Sequence, residues 1–183
     1  ANHPSFDLNT FADPSAGGDL RFYDHDNNEL IYEVDEWNAS GESLVWVKVP
    51  KLSPSGKVIA YWGNDGNTSL PSYRTDGSLW GGFEGVWHLK DLSDSSSNSR
   101  TASGNGGINF GVSSLIGKGS SLDGLDDYFS VNGYNGITGN NPRSISLWMK
   151  SSQLSGGFVG WGSSGNYWDF GWNSTGPKVD ING

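Results

Sequence analysis

A chain of 183 residues with 17% charged residues, 28 glycines and nine tryptophans has room for one or two domains. That length can bury roughly 70% of the unfolded surface, and its composition favours β-structure over a helical bundle or disorder. The net charge of −9, with the 11 basic residues scattered among 20 acidic ones, makes nucleic acid and anionic membrane surfaces poor partners, the absence of cysteine removes disulfides and thiolate metal sites, and apolar runs such as 58–62 are too short to insert in a bilayer.

Along the chain, residues 19–23 and 29–35 read as two strands joined by the turn DHDNN at 24–28. In the second, Leu30, Tyr32 and Val34 face one way and Ile31, Glu33 and Asp35 the other. Residues 43–49 and 57–62 are the next strands. Val45, Val47 and Val49 share one face of the former and Leu44, Trp46 and Lys48 the opposite one, so this strand is predicted to be central and covered on both sides. The sequence SLWGG at 78–82 marks a boundary, with Trp80 and Phe83 at the junction of two blocks.

Beyond it come three strand candidates, GVWHL at 85–89, SLDGLDDYFSV at 121–131 and SISLWMK at 144–150. Polar Gly/Ser/Asn segments separate them, the longest a loop at 92–107, and such spacing signals an all-β sandwich or barrel. Ile145, Leu147 and Met149 are predicted to face the core, with Trp148 covered by a loop or by the first block. In the aromatic segment 158–172, Trp168, Phe170 and Trp172 form the predicted core face, leaving Tyr167 and Asp169 outward. No helical periodicity exceeds two turns.

The first block, through GGDLRFYDHDNNEL (17–30), VWVKVPKL (45–52) and AYWGN (60–64), resembles a bacterial domain family of unknown function. That family is found beside laminin-G-like domains and in some proton-channel proteins of the TolQ/ExbB type. The second block, through 85–89, 121–131 and 144–150, resembles the opening part of a laminin-G-like, concanavalin-A-like jelly roll. The resemblances imply a small β-rich domain over residues 1–80 packed against an antiparallel β-sandwich over 81–183. They also imply that the sandwich is incomplete at its C-terminal end, its open sheet edge taking strands from the parent protein or from a protein partner.

No nucleophile elbow, HExxH, P-loop or dinucleotide fingerprint is present, and His3, His25 and His88 lack metal-ligand spacing. The bland reading of His88 is a half-buried strand histidine; a ligand-facing role is the alternative. Carboxylate sets at Asp24/Asp26, Asp91/Asp94 and Asp123/Asp126/Asp127 all sit among Asn, Gly or Ser. Turn capping ranks first for them, calcium binding second and acid–base catalysis last. Calcium is the expected cofactor if there is one, held around Asp123, Asp126 and Asp127, because related jelly rolls often bind one at a sandwich rim.

Sugar rings stack on flat aromatics while amides and carboxylates orient their hydroxyls. Trp161, Asn166 and Tyr167, read as loop residues and backed by Asp169, are therefore the expected ligand contacts. The sequence leads to a non-catalytic carbohydrate-binding or adhesive module of a bacterial multidomain protein, at the cell surface or secreted, with a polysaccharide or glycan as partner. The alternatives are a structural or protein-interaction domain, including a periplasmic part of a proton-channel assembly, and an accessory module of a polysaccharide-degrading enzyme.

Overall fold

The computed structural model describes residues 7–153, 155–163 and 165–182, so His3 lies outside the described residues. In chain order the strands are β1 (Arg21–Tyr23), β2 (Glu29–Leu30), β3 (Tyr32–Glu36), β4 (Leu44–Val47), β5 (Ile59–Tyr61) and β6 (Ser103–Asn105). They continue as β7 (Asn109–Ser113), β8 (Lys118–Ser121), β9 (Tyr128–Ser130), β10 (Gly156–Ser163), β11 (Asn166–Asn173) and β12 (Gly176–Asn182). Every ladder is antiparallel. The chain is all-β, built of several small sheets, and among the described residues its helical content is three 3-10 turns, at Leu8–Thr10, Ser72–Arg74 and Ser78–Trp80. No helix among them is long and apolar enough to cross a membrane.

The chain divides into two compact units, the first holding described residues up to Ala102 together with Ile108–Ser121, the second Ser103–Gly107 and the chain from Leu122 onward. In the first unit the sheet β2-β1-β5 lies in sequence around the hairpin turn at 24–28. Asp24 makes that turn: its Oδ1 accepts from the N–H of Asp26 at 2.9 Å and of Asn28 at 2.8 Å. The expected alternation holds, since Leu30 and Tyr32 are buried and Val34 packs on the core that Phe11, Leu20 and Tyr32 centre. Phe11 stacks on Trp62 with centroids 5.6 Å apart, and the Tyr32 hydroxyl donates to the Leu20 carbonyl at 2.6 Å.

Several expected elements differ. The single strand at 29–35 is broken at Ile31, where β2 pairs with β1 and β3 pairs with β4. The strand β4 pairs only with β3 among the described residues, so it is an edge and not central; both its faces are nevertheless covered, Val45 and Val47 by the core, Trp46 by Trp80 and His88. Residues 85–89 form no strand, because Val86 gives its N–H to the Asp94 carboxylate at 2.9 Å. Residues 109–113, read as part of no element, pair with β8.

In the second unit, β6 pairs with β9, and β10, β11 and β12 form a three-stranded meander. Residues 144–150 carry no strand pairing, with Trp148 at 73% exposure and Leu147 and Met149 also exposed, so the expected core face and the expected cover over Trp148 are both absent. Trp172 is exposed as well, whereas Trp168 and Phe170 are half-buried. What these small sheets present to solvent is set by their register.

Candidate functional site

Register sorts the β10-β11-β12 meander into two faces. One aligns Trp161, Trp168 and Ile181 in a row and Val159, Phe170 and Val179 in the next. The opposite face aligns Gly162 with Tyr167, and Gly160 with Asp169 and Asp180, while Gly171 neighbours Lys178. Because side chains alternate along a strand, every large group on this second face is polar or a tyrosine. The glycines of β10 are what give it depth. A Cβ at Gly157 would sit 2.9 Å from Asp169 Oδ1, and one at Gly160 would sit 3.2 Å from it, so the Asp169 carboxylate occupies space that side chains would fill.

The result is a shallow, open concavity of about 520 Å³ lined by Gly160, Trp161, Gly162, Tyr167, Trp168, Asp169, Lys178 and Asp180. The Lys178 ammonium donates to the Asp180 carboxylate, and that hydrogen bond holds the lysine above its ordinary range. Tyr167 is 40% exposed, so its ring is available from solvent. A ring, two carboxylates and an ammonium over a glycine floor can cover one face of a small ligand and meet its hydroxyls with both donors and acceptors.

The four residues expected to contact ligand separate in this geometry. Tyr167 and Asp169 lie on the polar face, and exposed Asn166 opens β11 at the hairpin end. Trp161 lies in β10 and not in a loop, and its ring belongs to the other face: it stacks on Trp168 with centroids 4.5 Å apart. Its Nε1 donates to the Ile137 carbonyl at 3.2 Å, and a Cβ at Gly136 would lie 2.2 Å from its ring, which is therefore closed over by the 136–137 backbone. Lys178 and Asp180 escaped the sequence reading. Their i, i+2 spacing in GPKVDIN is the available signal, but only the pairing of β12 with β11 assigns them to the face of Tyr167 and Asp169.

Asp123, Asp126 and Asp127 come together: each offers one carboxylate oxygen, and these lie within 4.8 Å of one another. The group also makes the turn. Asp127 accepts the N–H of Asp123 at 2.8 Å and that of Gly107, and Asp123 accepts the N–H of Leu125 at 2.8 Å. Asp91 and Asp94 are both engaged in local backbone hydrogen bonds: Asp91 caps Ser93, and Asp94 takes the N–H groups of Val86, Ser96 and Arg100.

His88 sits in the first unit, outside any strand, stacked on Trp46 with centroids 5.5 Å apart. Its Nε2 lies 3.5 Å from Glu33 and makes no hydrogen bond, while its Nδ1 is 3.9 Å from Asp35, whose carboxylate is taken by Lys90 at 2.6 Å and by Trp46 at 3.2 Å. Burial alone would raise the Glu33 carboxyl, but the His88 imidazole and hydrogen bonds from Ser95 and Trp80 more than offset this and hold it below its ordinary range. His25 is exposed beside Asp26.

Residues 16–90 match the family model described as a domain of unknown function, DUF2341, in agreement with the reading of the first block as a domain of that kind. No curated protein and no solved structure matches the chain.

Proposed function

We propose that the chain is a non-catalytic carbohydrate-binding or adhesive module of a bacterial surface or secreted multidomain protein, and that the polar face of the β10-β11-β12 meander is where it meets a glycan. The observation that carries this reading is the exposed Tyr167 ring beside Asp169, Lys178 and Asp180 over a floor of glycines. An open concavity of this kind suits one or two sugar units, held weakly and strengthened by avidity in a larger parent.

Residues 81–183 are read here as the opening part of a laminin-G-like jelly roll, on the strength of the three motifs at 85–89, 121–131 and 144–150. Calcium at Asp123, Asp126 and Asp127 belongs to the same proposal, since three clustered carboxylate oxygens are half of a calcium shell. A melting temperature that rises with excess calcium and falls with chelator is expected; identical melting curves would remove the ion from the account.

The test of the main reading is a glycan-array and polysaccharide-pulldown screen of the purified chain, with calcium and with chelator. Saturable binding that Tyr167→Ala abolishes is the expected result. A clean negative from well-folded protein would favour the second reading, a protein-interaction domain. That alternative has its own observation, the unpaired segment 144–150 with Leu147, Trp148 and Met149 exposed, a backbone able to accept a partner strand.

A further inference from the structure

The first unit carries a second concave surface, of about 390 Å³, on the outward face of the β2-β1-β5 sheet. Its origin is again register. Phe22 pairs with Leu30 on one side and Ala60 on the other; Phe22 and Ala60 pack on the core and Leu30 is buried, so this set faces inward. Arg21 and Tyr61, which pair directly, and Tyr23 are thereby left on the outer face. The rings of Tyr23 and Tyr61 meet edge to face, 5.5 Å apart at 78°, and Tyr61 is 52% exposed. Mutual support of this kind holds an exposed ring still and makes it a platform.

Three amides rim the platform: Asn27 from the hairpin turn, and Asn64 and Asn67 from the loop after β5. The amide oxygens of the last two are already committed, Asn64 Oδ1 to the N–H of Gly66 at 3.0 Å and Asn67 Oδ1 to Arg21 Nη2 at 3.0 Å. Each amide is thus fixed in orientation, and its NH2 group is what remains to act on a ligand. Among the described residues neither Nδ2 donates to the protein.

The floor rules on the ligand's charge. Arg21 is 8% exposed, and its Nη1 donates to the Gly18 and Leu20 carbonyls at 2.8 and 2.6 Å while Nη2 holds Asn67 and the Ser69 carbonyl at 3.0 Å. No open guanidinium fork is left to grip a carboxylate or phosphate. Asp19 is equally committed, taking the N–H groups of Ala12, Asp13 and Gly63, so it offers little to a cation. The concavity itself presents an apolar ring bordered by neutral hydrogen-bond donors; Glu29, paired with Tyr23 on the same face, is committed to the Tyr73 hydroxyl at 2.6 Å and lies 3.8 Å from Arg21 Nε.

We infer that this face of the first unit is a second, independent saccharide site, taking an uncharged pyranose whose C–H face stacks on Tyr61 and whose hydroxyl oxygens accept from Asn64 and Asn67, with Asn27 at the rim. It does not rest on the reading of the meander in the second unit. A neutral sugar is the ligand class that uses both halves of such a surface, a ring face and a set of oriented amides. The site lies wholly within residues 19–67, inside the stretch that matches the domain of unknown function.

The experiment is an array of neutral oligosaccharides (gluco-, xylo-, manno- and chito-oligomers) probed with the full chain and with three variants, Tyr61→Ala, Asn27→Gly and Tyr167→Ala. Asn27 has φ of +64°, which glycine adopts freely, so Asn27→Gly removes one amide without disturbing the turn. At least one glycan is expected to lose about tenfold in affinity with Tyr61→Ala and about threefold with Asn27→Gly, and to be indifferent to Tyr167→Ala. The absence of any bound glycan, or binding sensitive to Tyr167→Ala alone, overturns the inference and in the second case leaves the meander site standing. Should Tyr61→Ala fail to fold, Asn27→Gly decides: unchanged affinity of every bound glycan refutes the second site.

Discussion

Asp94 is the single side chain on which residues 85–102 most depend, and replacing it gives a prediction with a local readout. Its carboxylate accepts from the backbone N–H of Val86 at 2.9 Å, of Ser96 at 2.8 Å and of Arg100 at 2.8 Å, and from Ser96 Oγ at 2.9 Å. Asp94→Ala strands three backbone donors. At about 1.5–3 kcal/mol for each hydrogen bond to a charged group the simple sum is too large, because water reaches part of this loop and the losses are not additive. About 2–4 kcal/mol is the expected cost. Burial alone would raise the Asp94 carboxyl, but the three N–H donors and Ser96 more than offset this and hold it below its ordinary value. A carboxylate depressed in the folded state contributes stability above its unfolded pKa, near pH 4, and that contribution is lost as pH falls through the folded value. Urea unfolding at pH 7 and pH 3 should therefore show the wild type losing part of its advantage over Asp94→Ala on acidification. Hydrogen exchange at the Val86, Ser96 and Arg100 amides should accelerate in the variant at pH 7. A cost below about 0.5 kcal/mol with unchanged exchange at those amides would refute the reasoning.

Three further outcomes are expected. Tyr32→Phe removes the hydrogen bond to the Leu20 carbonyl, but that carbonyl keeps Arg21 Nη1 at 2.6 Å, so urea unfolding should give the low end of the usual cost, about 1 kcal/mol. Gly77→Ala places a Cβ 2.2 Å from the Ser97 backbone nitrogen at a φ of +77°, and thermal melts should show a loss of more than about 3 kcal/mol; a neutral result would contradict the packing of this turn. His88→Phe keeps the ring stacked on Trp46 but removes the imidazole, 3.5 Å from Glu33, that helps hold this half-buried carboxyl below its ordinary range, so chemical denaturation should show a loss of about 1–3 kcal/mol. A variant within about 0.5 kcal/mol of wild type would show that the imidazole does not sustain Glu33.

Much of the local structure was legible where one residue's chemistry decides it. The Asp-rich turn at 24–28 and the alternation of Leu30, Tyr32 and Val34 are of that kind. The outward placement of Tyr167 and Asp169 likewise follows from period two alone. The break at Ile31 was not legible, since alternation runs unbroken across it and only the choice of partner strand separates β2 from β3. Residues 85–89 have the composition of a strand, yet Asp94, eight residues after Val86, satisfies the Val86 N–H in place of a neighbouring strand. The unpaired run at 144–150 has strand periodicity as well, and periodicity says which residues share a face without saying what covers it. Lys178 and Asp180 join the candidate site through strand pairing, and the first-unit saccharide surface gathers residues from 19 to 67; neither grouping has a sequence signature.

The most direct test of the proposed function is to map, by amide chemical shifts, where the best-binding glycan from the screen touches the chain. Shifts confined to the polar face of the meander, at Gly160, Gly162, Tyr167, Asp169, Lys178 and Asp180, are predicted, with further shifts around Tyr61 if the second site is also occupied. Shifts confined to the opposite face, around Trp168, Phe170 and Val179, or to 144–150, with the polar face silent, would contradict the account.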